Sequence, residues 1–330
     1  MKNILVTGGA GYIGSHVCKE LAARGYRPIT YDNLVNGHRE AVRWGPFEHG
    51  DVRDRRRVDA IIERYRPEAA IHFAGFAYVG ESVEDPGKYY QNNTGGSIVL
   101  LEAMIDRGIT RVIFSSSCAT YGIPDKVPIT EADPQRPINP YGMSKLMVEH
   151  MLSDFGVAHG LQWIALRYFN AAGADPDNEI GEDHDPETRI IPLVLSAADG
   201  DGGEVTVFGS DYDTPDGTCI RDYIHVTDLA DAHVRALECL FSDHQSKPLN
   251  LGTGRGSSVM EVIETVRTVT GLEVPYRLGA RRAGDPAVLV ADYSRAHAVL
   301  GWKPAHSSME QIVETAWRWH LKKKARRLAG

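Results

Sequence analysis

Three things are scarce in this chain: cysteine, positive charge and long apolar runs. Four cysteines occur among 330 residues, at Cys18, Cys118, Cys219 and Cys239, and no two stand at Cys-x-x-Cys spacing. A disulfide framework is therefore not indicated, and a reducing cytoplasmic compartment is expected. No apolar run reaches the roughly 18 residues of a spanning helix, so no membrane association is expected. The start passes straight into a strand-like run and a glycine loop, without the pattern of a signal peptide. Lys and Arg number 36 against 44 Asp and Glu, a net charge of −8, which argues against a nucleic-acid partner. The basic LKKKARRLAG segment continues the pattern of Trp317 and Trp319 and reads as a solvated helix end. None of the 13 histidines pairs at His-x-x-x-His spacing, so no metal site is expected. The acidic DYDTP around Asp211 and Asp213 has Pro215 at the next ligand position of a calcium loop and is read as a plain loop.

What is present begins with MKNILVTGGAGYIGSH. Ile4, Leu5 and Val6 suit a buried strand, Gly8, Gly11 and Gly14 suit a tight turn, and Ser15 to Arg24 reads as a helix. In that order they bring backbone N–H groups and a helix dipole to where a pyrophosphate could sit. Asp32 ends the second candidate strand, 18 residues beyond Gly14. A carboxylate there accepts both hydroxyls of an adenosine ribose and repels a 2′-phosphate, which favours NAD over NADP; the plainer alternative is an aspartate capping its own turn.

Candidate strands at Asn3 to Thr7, Pro28 to Asp32, Ala69 to Phe73, Arg111 to Ser115 and Gln162 to Tyr168 alternate with helical patterns. The fold class expected is α/β: a doubly wound parallel-sheet Rossmann domain with a smaller mixed α/β substrate domain. Residues 1–170 would form the first, and 171–330 mainly the second. The two are expected to interleave, because RDYIHVTDLADAHVRALECL and KPLNLGTG, near 220–252, read as a helix and a strand returning to the sheet. The loop-rich AAGADPDNEIGEDHDPET marks the departure from it.

PYGMSK places Tyr141 and Lys145 four residues apart, on one face of a helix. An ammonium beside a phenol stabilises the phenolate and lowers its ordinary pKa of about 10, so Tyr141 is a candidate general base. Tyr-x-x-x-Lys by itself is commonly structural. Here FSSSCATYG lies upstream, with Ser117 at the carboxyl edge of the expected sheet. A hydroxyl there can share a proton with a sugar hydroxyl and the phenol.

Taken together, TGGAGYIGSH, HFAGFAYVGES, YYQNN, FSSSCATYG, PYGMSKLMVE, RYFNAAGA, GTCIRDYIHV and RRAGDPA resemble the extended short-chain dehydrogenase/reductase family, most closely its 4-epimerases of UDP-hexoses. The resemblance runs through nearly the whole chain. It implies tightly held NAD that takes hydride from carbon 4 of a UDP-sugar and returns it to the opposite face. Tyr141 would be the acid/base, Lys145 would hold the nicotinamide ribose, and Ser117 would bond the reacting oxygen. With the glycine loop, similarity places Tyr12, Ile13, Asp32, Asn33, Asp51, Val52, Phe73, Ala74, Asn92 and Phe169 along NAD. It places Asn170, Phe208, Arg221, Tyr223, Arg282 and Asp285 along the nucleotide sugar. Two arginines suit a diphosphate; read without the resemblance, each is a surface ion-pair member. A homodimer through helices flanking the sheet is implied as well.

Within the family, 4,6-dehydratases carry an Asp-Glu pair where this chain has Cys118 and Ala119, so elimination lacks its carboxylates. Ala77 stands where better-known hexose epimerases have a lysine associated with NAD. FAYVGES is also similar to UDP-xylose/UDP-arabinose 4-epimerases, the leading alternative. Leu289 stands where residue size is associated with admitting an N-acetyl group and is neither small nor bulky. ETRIIP departs from an asparagine-containing substrate loop, so no contact is transferred to Arg189. The remaining alternatives are a noncatalytic NAD-binding regulator, against which the intact Ser117, Tyr141 and Lys145 argue, and an ordinary dehydrogenase releasing NADH.

Overall fold

Ile4, Leu5 and Val6 are at most 1% exposed and form the middle of strand β1 (Asn3–Thr7), an interior strand of a parallel sheet. The protein is represented by a computed structural model that describes residues 1–242, 246–282 and 284–329. After β1 come β2 (Arg27–Asp32), β3 (Phe47–His49), β4 (Ala69–His72), β5 (Arg111–Ser117) and β6 (Gln162–Tyr168). A strand at Lys247–Leu251 completes a seven-stranded sheet in the order Lys247–Leu251, β6, β5, β4, β1, β2, β3. Every neighbouring pair is parallel. The chain winds outward from β1 through β2 and β3, then resumes on the other side at β4. The carboxyl ends of β1 and β4 therefore flank a switch point, where an open α/β sheet forms its crevice.

Alternation along the strands fills both faces. Ile4, Val6, Ile71, Ile113, Ile164 and Leu166 join one core with Val17, Leu21, Leu229, Leu237 and Trp302. Leu5, Ala70, Val112, Phe114 and Ala165 join the other with Val58, Ile62, Leu100, Met104 and Leu152. Successive side chains of a strand point to opposite faces, so two-sided burial needs near-continuous apolar runs. Each fully buried large aliphatic contributes about 1.5–3 kcal/mol.

Five strands of the sheet are those expected from sequence, with ends shifted by at most two residues. Of the other two, Lys247–Leu251 is the strand expected from KPLNLGTG, whereas β3 is a three-residue edge strand in GPFEHG, too short for a periodic signal. The helix after the glycine turn begins at Tyr12 rather than Ser15. The two returning segments form the helix Val226–Phe241 and the strand Lys247–Leu251.

A third core, with Ile191, Val194, Val207, Val262, Ile263 and Ile312, lies among the helices Ile190–Ala198, Val259–Thr270 and Met309–Ala329. Its associated sheets are small. Val205–Phe208 pairs with Tyr276–Gly279, and Ile220–Arg221 sits between Ser257–Ser258 and Val288–Leu289. Among the described residues, no helix is long and apolar enough to cross a membrane.

Candidate active site

The glycine turn joins the end of β1 to the helix Tyr12–Ala23. Gly8 has φ +72°, and a Cβ there would lie 2.6 Å from the Ala74 backbone nitrogen. A Cβ at Gly14 would strike the Gly8 carbonyl oxygen. These two glycines let β1, the turn, the helix and the β4 loop come together. Gly11 differs: a Cβ there would meet only the Gly8 oxygen, at 3.3 Å, and its open side faces a cleft lined by Gly8, Gly11, Tyr12, Ile13 and Gly14. Gly11 is the helix N-cap and supplies no side-chain cap, so the first-turn amides remain available to an anion.

Asp32, Asn33, Val52, Phe73, Ala74 and Asn92 line the same cleft. The Asp32 carboxylate accepts from the Ala10 and Leu34 amides, at 3.0 and 2.8 Å. Burial pushes its pKa up against those amides and His49; no lysine or arginine figures among the leading influences. An uncapped helix start, a Cβ-free position and a buried carboxylate on which, among the described residues, His49 rather than a lysine or arginine acts fit an NAD-type dinucleotide. Asp51 lies beside this set rather than on the cleft wall. It grips Arg53 through two 2.8 Å bonds and accepts from Asn33 at 3.3 Å. The Arg53 hydrogen bonds hold its carboxyl at about 2.

Tyr141 and Lys145 enter from the first turns of the helix Pro140–His159, which Asn139 caps by accepting from the Gly142 amide at 2.8 Å. Both line the cleft. Lys145 Nζ lies 5.9 Å from the Tyr141 ring centroid and donates to the Ser115 carbonyl at 2.8 Å. Burial depresses Lys145 to about 8, with Glu149 opposing. Tyr141 differs from the sequence expectation: burial raises its pKa, while a Ser117 hydrogen bond and the Arg189 charge lower it. The protein interior disfavours phenolate more than the nearby cations favour it. Ser117 is buried behind the cleft lining and accepts from the Ala119 amide at 3.2 Å.

The remaining expected residues gather elsewhere. Arg221 pairs with Asp285 at 2.5 Å, and the Arg282 guanidinium lies 4.1 Å from the Phe208 ring centroid. Arg221 and Asp285 also act on Tyr223, whose pKa burial raises. Asn170 joins this region through its strand pairing with Tyr223. None of the six lines the cleft described above, but the Arg221 charge reaches Cys118, next to Ser117. Phe169 packs in a small core with Tyr121, Ile129 and Ala291. The preceding Tyr168 instead faces the cleft, as alternation at a strand end requires.

Sequence reasoning missed three cleft residues in particular: Tyr168, His184 and Arg189. Arg189 Nη1 donates to Glu182 at 2.6 Å, and its guanidinium lies 5.6 Å from the Tyr12 ring centroid. The acidic stretch read as leaving the sheet thus folds back onto the cleft. Tyr12 fastens it there, its hydroxyl donating to the Gly173 carbonyl at 2.6 Å. Glu182, His184 and Glu187 approach within metal-ligand distance of one another, but Arg189 already neutralises Glu182. A second missed feature lies in LMVEHML, which the sequence marks only as an amphipathic helix. Its Glu149 is 6% exposed and paired with Arg167, 3% exposed.

Comparison with known proteins agrees with this geometry. The Epimerase family profile, described as the NAD dependent epimerase/dehydratase family, matches residues 4–252. A UDP-glucose 4-epimerase of Rhizobium meliloti (strain 1021) is 53% identical over 323 residues, covering 97% of this chain and 98% of the relative. The crystal structure of UDP-glucose 4-epimerase from Brucella ovis in complex with NAD is similar at a TM-score of 0.95 and 55% identity, over 96% of this chain and 98% of that one. A UDP-glucose-4-epimerase structure from Stenotrophomonas maltophila, with bound NAD and formylated UDP-arabinopyranose, matches at a TM-score of 0.95 and 42% identity over the whole of both chains. With a profile spanning most of its length and relatives matched almost end to end, the chain belongs to the NAD dependent epimerase/dehydratase family.

Proposed function

We propose that this chain interconverts UDP-galactose and UDP-glucose by oxidising and re-reducing carbon 4 of the sugar. The observation that carries this reading is the meeting of a glycine turn, Asp32, Tyr141 and Lys145 in one cleft, with the Ser117 hydroxyl near enough to Tyr141 to lower its pKa. NAD, when bound, supplies a reversible hydride acceptor and ends the cycle unchanged. The turn amides would bind its diphosphate and Asp32 would accept from its adenosine ribose. Asn33, Val52, Phe73, Ala74 and Asn92 would complete the wall, with Asp51 and Phe169 supporting it from behind.

Tyr141 would take the proton of the carbon 4 hydroxyl and later restore it to the same oxygen, with Ser117 orienting that oxygen. Burial keeps Tyr141 a neutral phenol, suited to returning a proton. Withdrawing one needs nearby positive charge, which the Lys145 ammonium and Arg189 supply from the cleft wall. Arg221 and Arg282 would hold the UDP diphosphate, with Asn170, Phe208, Tyr223 and Asp285 completing that site.

A second reading, a UDP-xylose/UDP-arabinose 4-epimerase, draws on FAYVGES and on the UDP-arabinopyranose derivative in the Stenotrophomonas relative. Purified protein is incubated separately with UDP-galactose and UDP-xylose, without added NAD, and the products are resolved by anion exchange. UDP-glucose formation supports the first reading and retained cofactor. Conversion of UDP-xylose alone transfers the assignment to pentoses. Failure with both, repeated with NAD added, sinks both readings and leaves the noncatalytic regulator.

We also propose a homodimer. Val79, Val83, Ile98 and Met147 are exposed apolar side chains on three helices flanking the sheet, and mutual burial would remove them from water. A division into an NAD-binding part, residues 1–170 with the returning segments, and a UDP-sugar-binding remainder is supported by the separate third core. Four free cysteines suit a cytoplasmic location.

A further inference from the structure

Glu149 continues the line of Tyr141 and Lys145 along the helix Pro140–His159, one turn further on. It is one of the most enclosed carboxylates of the described chain, and its oxygens are fully engaged. Ser116 Oγ donates to Oε1 at 2.5 Å, Arg167 Nε donates to Oε1 and Oε2 at 2.9 and 3.2 Å, and Gln135 donates to Oε2 at 3.2 Å. Arg167 extends the chain of bonds, donating to the Tyr121 hydroxyl at 2.8 Å; that hydroxyl donates to Asn250 at 2.7 Å, and Asn250 donates to the Ile129 carbonyl at 2.9 Å. Ile129 in turn accepts from the Asp292 amide and donates to the Val290 carbonyl, both at 2.8 Å. Val290 follows the strand Val288–Leu289 that flanks Arg221. One buried polar chain therefore runs from behind the Tyr141 and Lys145 helix to the strands that carry the Arg221 cluster.

A carboxylate this enclosed is costly to desolvate, and apolar groups of similar volume would usually hold a helix on a sheet as well or better. Its position suggests what it does beyond packing. Ser116 lies between Ser115, whose carbonyl accepts from Lys145, and Ser117, whose hydroxyl acts on Tyr141 by lowering its pKa. We propose that Glu149, fixed by Arg167, is a positioning residue for the epimerisation: it sets the seat and the charge of Lys145 and clamps the Ser115–Ser117 segment against the Tyr141 helix. This inference rests on the function proposed above.

The titratable groups facing Lys145 are Glu149 and Tyr141 from its own helix and His72 from β4; Tyr168 approaches from β6 through a hydroxyl contact with Ser115. Of these, Glu149 brings negative charge, which its ion-pair partner Arg167 on β6 partly offsets. Burial already draws Lys145 to about 8, and Glu149 opposes that fall. Without Glu149 the ammonium would be lost at lower pH.

The test compares wild-type holoenzyme with Glu149→Gln and with the double variant Glu149→Gln/Arg167→Met. The double variant removes both charges, so that neither is left buried alone. Two quantities are read: the pH dependence of kcat on UDP-galactose, and the Lys145 titration by NMR with 13C at lysine Cε, assigned by difference against Lys145→Met. We expect the Lys145 midpoint and the alkaline limb of kcat to move together to lower pH by about one unit in Glu149→Gln, with kcat at pH 8.5 falling about tenfold and KM little changed, and to move in the same direction but less far in the double variant, where loss of the Arg167 charge offsets part of the change. A Glu149→Gln variant that folds and keeps the wild-type Lys145 midpoint and alkaline limb overturns the inference, whatever happens to its melting temperature. Absence of turnover in the wild type overturns the proposed function instead, while the NMR titration still reports whether Glu149 sets the charge of Lys145.

Discussion

The cleft beside the glycine turn and the Arg221 cluster differ in what stands behind them. Cleft residues stand at or just beyond the ends of β1, β2, β4, β5 and β6 and on the helices between them, over strands buried on both faces. Arg221 lies in a two-residue strand, Phe208 ends a four-residue one and is 38% exposed, and Arg282 and Asp285 lie in a loop. The first site is held by the large core and needs little rearrangement to receive a ligand. In the second, Arg221 is already paired with Asp285 and Arg282 already lies over Phe208, so a diphosphate would have to share or exchange those partners. The comparison teaches a division of labour. On the proposed assignment, chemistry that needs atoms fixed to a fraction of an ångström would sit over the large core, and recognition that adapts would sit on short strands and loops.

The largest effect expected is on the cleft's foundation. His16, His72 and His233 are buried around it, and burial depresses them to about 4, 3 and 4. They stay neutral in the folded protein while the unfolded chain takes up protons below the ordinary value of about 6.5. Their stabilisation is therefore complete above pH 6.5 and is lost as pH falls toward 4 and below, by several kcal/mol in sum. The urea midpoint should drop steeply between pH 6.5 and 4.5, and His233→Gln should flatten that drop by roughly one proton's worth. A midpoint that is level across that window contradicts the buried neutral histidines.

The next break is chemical. Tyr141→Phe keeps the ring and its packing but removes the proton carrier, so kcat should fall by about 10²–10⁴-fold while the protein retains NAD and its melting temperature. Near-native turnover would remove Tyr141 from the assigned role. Ser117→Ala should cost less, about 10–100-fold in kcat, the range of one hydrogen bond to a charged group. If loss of bound NAD is the main defect, the hydroxyl is structural.

The same contrast governs how much the sequence disclosed. The β1 turn and helix were legible because their glycines and apolar run act locally, within a dozen residues. Tyr141 and Lys145 were legible because helical spacing puts them on one face. Arg189 was not, because only the return of the 171–188 loop, fastened by Tyr12 on Gly173, brings it to the cleft. Glu149 was hidden for a different reason: a carboxylate in LMVEHML looks like a solvated position until Arg167, on β6, is seen to bury with it. Nor could the direction of the Tyr141 shift be read, since it depends on enclosure rather than on the neighbour four residues away. Phe208, Arg221, Arg282 and Asp285 have no local pattern at all, and only resemblance singled them out.

The smallest effect is the one that sharpens the comparison most. Arg282 contacts the Phe208 ring and sits in an exposed loop, so truncating it removes a contact worth about 0.5–1 kcal/mol at such sites and leaves the cleft untouched. If the Arg221 cluster binds the substrate equally in ground and transition states, Arg282→Ala should raise KM for UDP-galactose about fivefold and leave kcat within about twofold. Arg282→Lys should recover only part of the loss, because an ammonium cannot reproduce the planar two-point contact of a guanidinium with phosphate. An equal fall in kcat and kcat/KM would mean that the arginine acts on the transition state. The cluster would then take part in fixing the reacting sugar, and the line drawn between a rigid catalytic cleft and an adaptable recognition site would fail.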